Sequence, residues 1–336
     1  MEAEQGAPPY GAQGAPPVSP NVGKSRNKMN LKSLCRNPLY RAYPEAAARR
    51  LLCTLRHPPR KSRFETTLFW GDRFTSIYDD DMGQSQWRYG LYDLPVCEVI
   101  ARILKPGDRA LDIGANVGQM TLLMGRAIRG AGCVESYEPH PAIFRILKDN
   151  CDGSSFKSRI KIQQAAISDR DGTARLAVPA TFDANIGTSS LEASDRSSGN
   201  IVVATYRLDT LYPAVEDIDL VKVDVEGHEL AVFRGAHELL SRKAIRAIIF
   251  EANTDHNDVF SLLAGYGYHL FAINTLERVV EHPLSELKSN IQTGNYLALR
   301  DIEDAKKIRA PSTLVIKTLA NNRLQFTFCP GRAKRN

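Results

Sequence analysis

Along the middle of the chain, short apolar runs alternate with amphipathic stretches, the pattern of buried parallel strands exchanged with helices. Strands are predicted over 109–113, 132–137, 159–167, 201–206, 218–225, 245–250, 268–273 and 295–299. Helical stripes fall between them: Val96, Val99, Ile100 and Ile103 within 92–104; Thr121 to Met124 after a glycine turn; and Ile143, Phe144, Ile146 and Leu147 behind Pro141. Leu230, Phe233, Ala236, Leu239 and Leu240 predict one helix over 229–240, and residues 257–264 a shorter one stopped by Gly265. Upstream, residues 64–78 read as two short strands joined through Trp70, Gly71, Asp72 and Arg73. Trp87, Arg88 and Tyr89, ahead of the first core strand, are candidates for covering a ligand.

The chain is organised around residues 106–124, a strand, a tight turn and a helix. Gly114 and Gly118 can take positive φ or let another molecule approach the backbone, and free N–H groups at the helix start face outward. A dinucleotide turn requires G-x-G-x-x-G. Here Asn116 holds the second glycine position, and Asp112 lies at the strand end, where a pyrophosphate would be repelled. A cationic or zwitterionic ligand suits this turn better. Twenty residues past Gly118, Glu138 ends the next strand and is followed by Pro139, placed to accept both hydrogen bonds of a ribose diol. An adenosine bearing an amino-acid tail is S-adenosylmethionine. The other reading of Asp112 and Glu138 is that they are solvated strand-end acids. Ser168 and Asp169, at a later strand end, are placed beside an adenine ring, or alternatively form only a turn into residues 173–178.

Residues 218–225 carry an unusual polar face. In an extended strand Lys222, Asp224 and Glu226 share one side and Val221, Val223 and Val225 the other. Charges on a central strand are costly unless paired or used in chemistry. Asp224 and Glu226, with Glu251 at the end of the following strand, are therefore candidate catalytic bases, and Lys222 a candidate ion-pair brace. His228 and His256 are weaker candidates. No third ligand joins Asp224 and Glu226, so no metal site is assigned.

Six blocks carry a family resemblance: LDIGANVGQMTL (111–122), YEPHP (137–141), AISDRDG (166–172), RLDTL (207–211), DLVKVDVEGHE (219–229) and IIFE (248–251). Together they resemble the FkbM family of S-adenosylmethionine-dependent methyltransferases over residues 104–273, the K-x-D-x-E-G-x-E block being the distinctive one. The resemblance implies a class I methyltransferase fold, a Rossmann-like doubly wound α/β sheet, mostly parallel with an antiparallel last strand. It also implies O-methylation of a hydroxyl on a sugar, glycan precursor or secondary metabolite. The cofactor set it carries over is Asp112, Gly114, Asn116, Gly118, Glu138, Pro139, Ser168 and Asp169. Asn185, Gly187, Ser189 and Ser190, in a polar loop over 181–200, resemble a family pattern facing the acceptor. The rivals are a nicotinamide-dependent oxidoreductase, which the missing second glycine disfavours, and an S-adenosylmethionine-binding module without turnover.

Charge sharpens the division of the chain. Of the net +6, residues 1–60 contribute ten Lys or Arg against three Glu, and the other 276 residues sum to −1. A nearly neutral body does not suit a nucleic-acid backbone; a small-molecule or glycan acceptor fits better. The expected organisation is a disordered Pro- and Gly-rich leader (1–28, with Met29 an alternative start), a basic accessory segment (29–90), the methyltransferase domain (91–300) and a C-terminal extension (301–336) with extra strands at 313–319 and 324–328. A helix over 45–55, flanked by Arg49, Arg50, Arg56, Arg60 and Lys61, either packs on the core or makes weak contact with an anionic membrane surface. Six scattered cysteines without C-x-x-C pairs, and the absence of an apolar run long enough to span a bilayer, point to a cytoplasmic protein. The oligomeric state is left open.

Overall fold

The structure, a computed structural model, describes residues 52–53, 63–78, 81–179, 197–215, 217–252, 257–273 and 294–308. The expectations for the leader, for most of the basic segment, for residues 181–196, for His256 and for strands beyond residue 308 lie outside the described residues.

The described chain begins with Leu52 and Cys53, both helical, and then a hairpin of β1 (Arg63–Thr67) and β2 (Arg73–Ile77). Helices α1 (Asp81–Tyr89) and α2 (Leu94–Ile103) follow, then β3 (Arg109–Ile113), α3 (Gln119–Ile128), β4 (Cys133–Tyr137), α4 (Pro141–Asp152) and β5 (Ile160–Gln163). A satellite of β6 (Ala166–Ile167), β7 (Gly172–Pro179), β8 (Ser197–Tyr206) and the single turn α5 (Leu208–Leu211) precedes the second half. That half comprises β9 (Leu220–Val223), α6 (Glu229–Arg234), α7 (His237–Ser241), β10 (Ala247–Ala252), α8 (Asn257–Gly265), β11 (His269–Ala272), β12 (Gly294–Leu299) and α9 (Ile302–Ile308).

Seven strands form one sheet in the order β11-β12-β10-β9-β3-β4-β5. Every pairing from β10 to β5 is parallel, and β12 alone runs against both its neighbours. The strand order reverses between β3 and β9, the switch point at which open α/β sheets bind ligands. Two apolar layers sandwich the sheet. Ala110, Leu220 and Ile249 join α2, α3 and α4 on one face, while Leu111, Ile113, Val221, Val223, Ile248 and Phe250 join α6, α7 and α8 on the other. This alternation is that of strands buried on both sides, and it places Asp112 and Lys222, which pair in register, on the α2–α4 face.

Three boundaries differ from the sequence pattern, each for a tertiary reason. The strand expected over 159–167 is two: β5 ends the large sheet, and β6 crosses to pair with β8. The helix expected over 229–240 breaks at Gly235 and Ala236. A Cβ on Gly235 would lie 2.0 Å from the Ser168 carbonyl oxygen, and the buried Asp209 carboxylate accepts the Glu238 and Leu239 amides at 3.1 and 3.0 Å to cap α7. A strand in place of polar loop begins at Ser197, because β8 pairs with β7 from Pro179 onward. Three helices went unread: α1, whose stripe is too polar to register as an apolar period, the single turn α5, and α9. Cys53, Cys97, Cys133 and Cys151 carry free thiols, and no helix among the described residues is long and apolar enough to cross a membrane.

Candidate active site

A cleft with about 610 Å³ of empty space, counting its open mouth, lies at the carboxyl ends of β3 and β9. The turn from Gly114 to Met120 forms one wall. Met82 from α1, with Tyr92, Asp93 and Val96 around the start of α2, forms the opposite wall, and Lys222, Asp224, Glu251 and Asn295 close the end. Three carboxylates thus face one ammonium.

The turn is built largely by its own chain. Gly114, at φ 78°, has no room for a side chain: a Cβ would stand 1.8 Å from the Asp224 carbonyl oxygen, because β3 and β9 converge there. Gly118, at φ 95°, would place a Cβ 2.6 Å from Leu147. Asn116 takes φ 50°, a left-handed conformation that Asn tolerates, and its side chain accepts the Val117 amide at 2.7 Å. The close approach that requires Gly114 therefore comes from the protein's own backbone.

Asp112, expected to meet the ligand, lies behind the cleft lining rather than in it. It is fully buried; Oδ2 accepts from Thr121 Oγ1 at 2.6 Å, Thr121 in turn contacts Ser136 Oγ at 2.9 Å, and Oδ1 has no partner. Burial pushes its carboxyl up, and the nearby Lys222 opposes that. Asp112 ties β3, α3 and β4 together from behind the turn. Glu138 closes the turn from the neighbouring strand: Oε2 accepts the Asn116 amide at 3.0 Å and Oε1 the His140 amide at 2.8 Å. Burial pushes Glu138 up to about 7 against those two bonds. Each of its oxygens keeps acceptor capacity beyond those two bonds. Pro139 lies half-buried in the same turn.

Ser168 and Asp169 stand outside the cleft lining. Ser168 is buried, with Oγ 2.9 Å from His228 Nε2, while Asp169 pairs with Arg170 at 3.1 Å, a hydrogen bond that pulls its carboxyl down. The structure thus joins β6 to the start of α6 and gives His228 a partner across 60 residues.

The K-x-D-x-E-G-x-E block resolves into a charged strand and a turn. Lys222, 5 % exposed, directs its ammonium to Asp224 Oδ2 at 3.0 Å. Burial alone would lower that ammonium, but Asp224, Asp112 and Asp93 together hold it above its usual range. Extended geometry stops at Val223, so Glu226 does not continue the face of Lys222 and Asp224 as expected. It sits exposed at φ 50°, followed by Gly227 at φ 97°. Desolvation and the charges of Asp224 and Glu229 push Glu226 up, an effect water damps at so open a position. Glu229 folds back beneath the turn, accepting the Val225 and Gly227 amides at 3.3 Å each. Glu251 is half-buried at the end of β10, and burial together with the charges of Asp224 and Glu226 pushes it up to about 7.

Sequence reasoning missed the upper wall. Asp93, at φ 50°, caps α2 through the Val96 amide at 3.2 Å and accepts Asn295 Nδ2 at 2.7 Å, joining α2 to β12 across 202 positions. Burial pushes its carboxyl up. Gln119 exchanges two 2.8 Å bonds with the backbone of Tyr92 and receives Gln86 Nε2 at 3.0 Å, so the Tyr92 segment is fastened to the start of α3. The Asp-x-Pro-x step at Asp93 and Pro95 is a helix-start signal that would have located this cap. Trp87 and Arg88, expected to cover the ligand, do other work: Trp87 meets Phe64 edge-on at 5.6 Å and Arg88 bonds Gln84. Tyr89 packs against the core beside α2.

The residues fit a cationic adenosyl cofactor and not a diphosphate. Among the described residues Asp93, Asp224 and Glu251 converge on the cleft against Lys222 alone, and Glu138 retains acceptor capacity one strand away.

Residues 112–270 match the family model described as Methyltransferase FkbM domain. The methyltransferase sdnD of Sordaria araneosa is 31 % identical over 160 residues, covering 38 % of this chain and 60 % of that protein. The 31-O-demethyl-FK506 methyltransferase FkbM of Streptomyces tacrolimicus is 26 % identical over 205 residues, covering 50 % of this chain and 75 % of that protein. Among solved structures, the methyltransferase FkbM from Methylobacillus flagellatus aligns with a TM-score of 0.39 at 13 % identity, covering 78 % of this chain and 59 % of its own. The chain thus spans about three fifths of the length of the first of these relatives.

Proposed function

Because residues 112–270 match the family model described as Methyltransferase FkbM domain, we propose that the protein is an S-adenosylmethionine-dependent methyltransferase that methylates a hydroxyl of a sugar, glycan precursor or secondary metabolite. The observation that carries this reading is the acid-rich cleft at the switch point of the sheet, whose glycine turn and strand-end residues Lys222, Asp224 and Glu251 fall within the span of the family match. When bound there, the cofactor supplies an electrophilic methyl group on a sulfonium.

The chain's own residues supply the rest. Glu138 accepts the ribose hydroxyls through the lone pairs left beyond Asn116 and His140. Asp93, Asp224 and Glu251 face positive charge at the closed end of the cleft, and the wall of Met82, Tyr92 and Val96 narrows access by water. Alignment of acceptor and methyl can contribute roughly 7 to 11 kcal/mol in favourable systems. Asp224 is the base, receiving the proton the acceptor hydroxyl loses. Its side chain is 38 % exposed, hence reachable, and Lys222 holds it in place.

Calorimetric titration with S-adenosylhomocysteine and separately with NAD tests the cofactor, and a tritiated methyl donor offered a panel of sugars, lipid-linked glycans and polyketide alcohols tests the acceptor. Binding of S-adenosylhomocysteine and labelled ether products are the expected results. Binding of NAD alone overturns the reading in favour of a nicotinamide-dependent oxidoreductase.

A further inference from the structure

Among the described residues Lys222 is the only cation lining the cleft, and its bonding is incomplete. An ammonium carries three N–H donors. Among the described residues one is used, by Asp224 Oδ2 at 3.0 Å, although the side chain is only 6 % exposed. A buried ammonium with two donors unfilled is costly in an apolar interior, and this one borders open space that water or a ligand fills. Its neighbours narrow what that ligand is. Asp93, Asp224 and Glu251 line the same cleft, and Asp112 lies behind it. A phosphate or other dianion would meet all of these carboxylates. A carboxylate carried beside an ammonium is electroneutral as a unit: its negative end satisfies Lys222 and its positive end faces the acids.

Resting on the methyltransferase reading, we infer that Lys222 is the binding residue for the carboxylate of the cofactor's amino-acid tail, with Asp93 and Glu251 receiving the tail's ammonium. The distinctive lysine of the K-x-D-x-E-G-x-E block is then a ligand contact as well as a brace for Asp224. Placement supports this. Lys222 pairs in register with Asp112, two residues before Gly114, so its ammonium lies at the floor of the cleft between the glycine turn and Asp224.

The test uses the full chain and three probes by calorimetry: S-adenosylhomocysteine, its decarboxylated counterpart, which keeps the amine, and 5′-methylthioadenosine, which lacks the tail. In the unaltered protein the carboxylate should improve affinity about 10- to 100-fold over the decarboxylated probe, the range of a hydrogen bond to a charged group. Lys222→Met should bring that ratio near one while leaving 5′-methylthioadenosine binding within about threefold, and Lys222→Arg should keep most of the ratio. The ratio is taken within a single protein, so a loss of folded fraction in a variant cancels. If Lys222→Met is insoluble, the unaltered protein alone remains decisive, since equal affinity for the first two probes overturns the inference. A ratio unchanged in Lys222→Met also overturns it. Binding of none of the three probes overturns the methyltransferase reading itself, and this inference with it.

Discussion

The two sides of the cleft look alike in sequence, each a strand ending in acids and glycine, yet they are built on opposite terms. On the β3–β4 side the carboxylates are already committed: Asp112 is enclosed with Thr121, and Glu138 holds two backbone amides. Even the glycine at 114 is required by the Asp224 carbonyl. On the β9–β10 side the charges are only partly satisfied: among the described residues Lys222 has one hydrogen-bond partner, and Asp224 and Glu251 both line the cleft. The first side is a finished structural joint with spare acceptor capacity, whereas the second holds unspent donors and acceptors and is where chemistry is to be expected.

The strongest way to break this comparison is at the joint. Gly114→Ala forces a side chain against backbone at positive φ, where overpacking and left-handed strain combine. The variant should lose about 3 to 5 kcal/mol of stability, read as a fall in denaturation midpoint together with loss of S-adenosylhomocysteine binding. A normal midpoint would show that β9 yields at Asp224 and that the joint is not rigid.

On the other side the effect should fall on rate. Asp224→Asn keeps the shape at a partly exposed position and should lower methyl transfer by about 10²- to 10⁴-fold, as expected for a lost base, with a shift in denaturation midpoint of only a few degrees. An unchanged rate would move the base to Glu251 or Glu226.

Acidity sharpens the contrast further. Glu138 and Glu251 are both raised to about 7 in the folded protein from an ordinary 4.5. A group raised on folding contributes stability that is full below about 4.5 and is lost as the pH climbs through 7. Stability of the ligand-free protein should therefore decline across pH 5 to 8. A cation favours the ionised carboxylates, so S-adenosylmethionine should bind more tightly over the same window and release protons near pH 6.5. Calorimetry in buffers of different ionisation enthalpy reads that release, and proton uptake would contradict it.

The smallest effect should come from Asn116→Gly. It relieves a left-handed residue but removes the bond to the Val117 amide, a change of about 1 kcal/mol or less in stability. NAD binding should not appear, because restoring a glycine leaves the acids of the cleft in place. Titration with NAD checks this directly.

Much of the architecture was written in local pattern. The runs at β3, β4, β9 and β10 are short and apolar because both faces are covered, and the stripe after Gly118 is amphipathic because one face of α3 meets the sheet. The turn at 114–118 and the acid at 138 follow from the same local chemistry. Where the pattern failed, distant residues decided. Gly235 breaks a good helical period only because Ser168 presses on it, and β6 leaves its strand because β8 offers a partner.

The sequence by itself therefore determined the alternation of strand and helix, the position of the glycine turn and the chemical types at each strand end, since these depend on neighbours a few residues away. Only the tertiary structure decided which of those acids are spent and which are free. Asp112 and Asp224 read alike along the chain, but burial under α3 closes one, while the meeting of β9, β10, β12 and the start of α2 leaves the other open beside Lys222, because solvation and pairing are fixed by what the fold brings into contact.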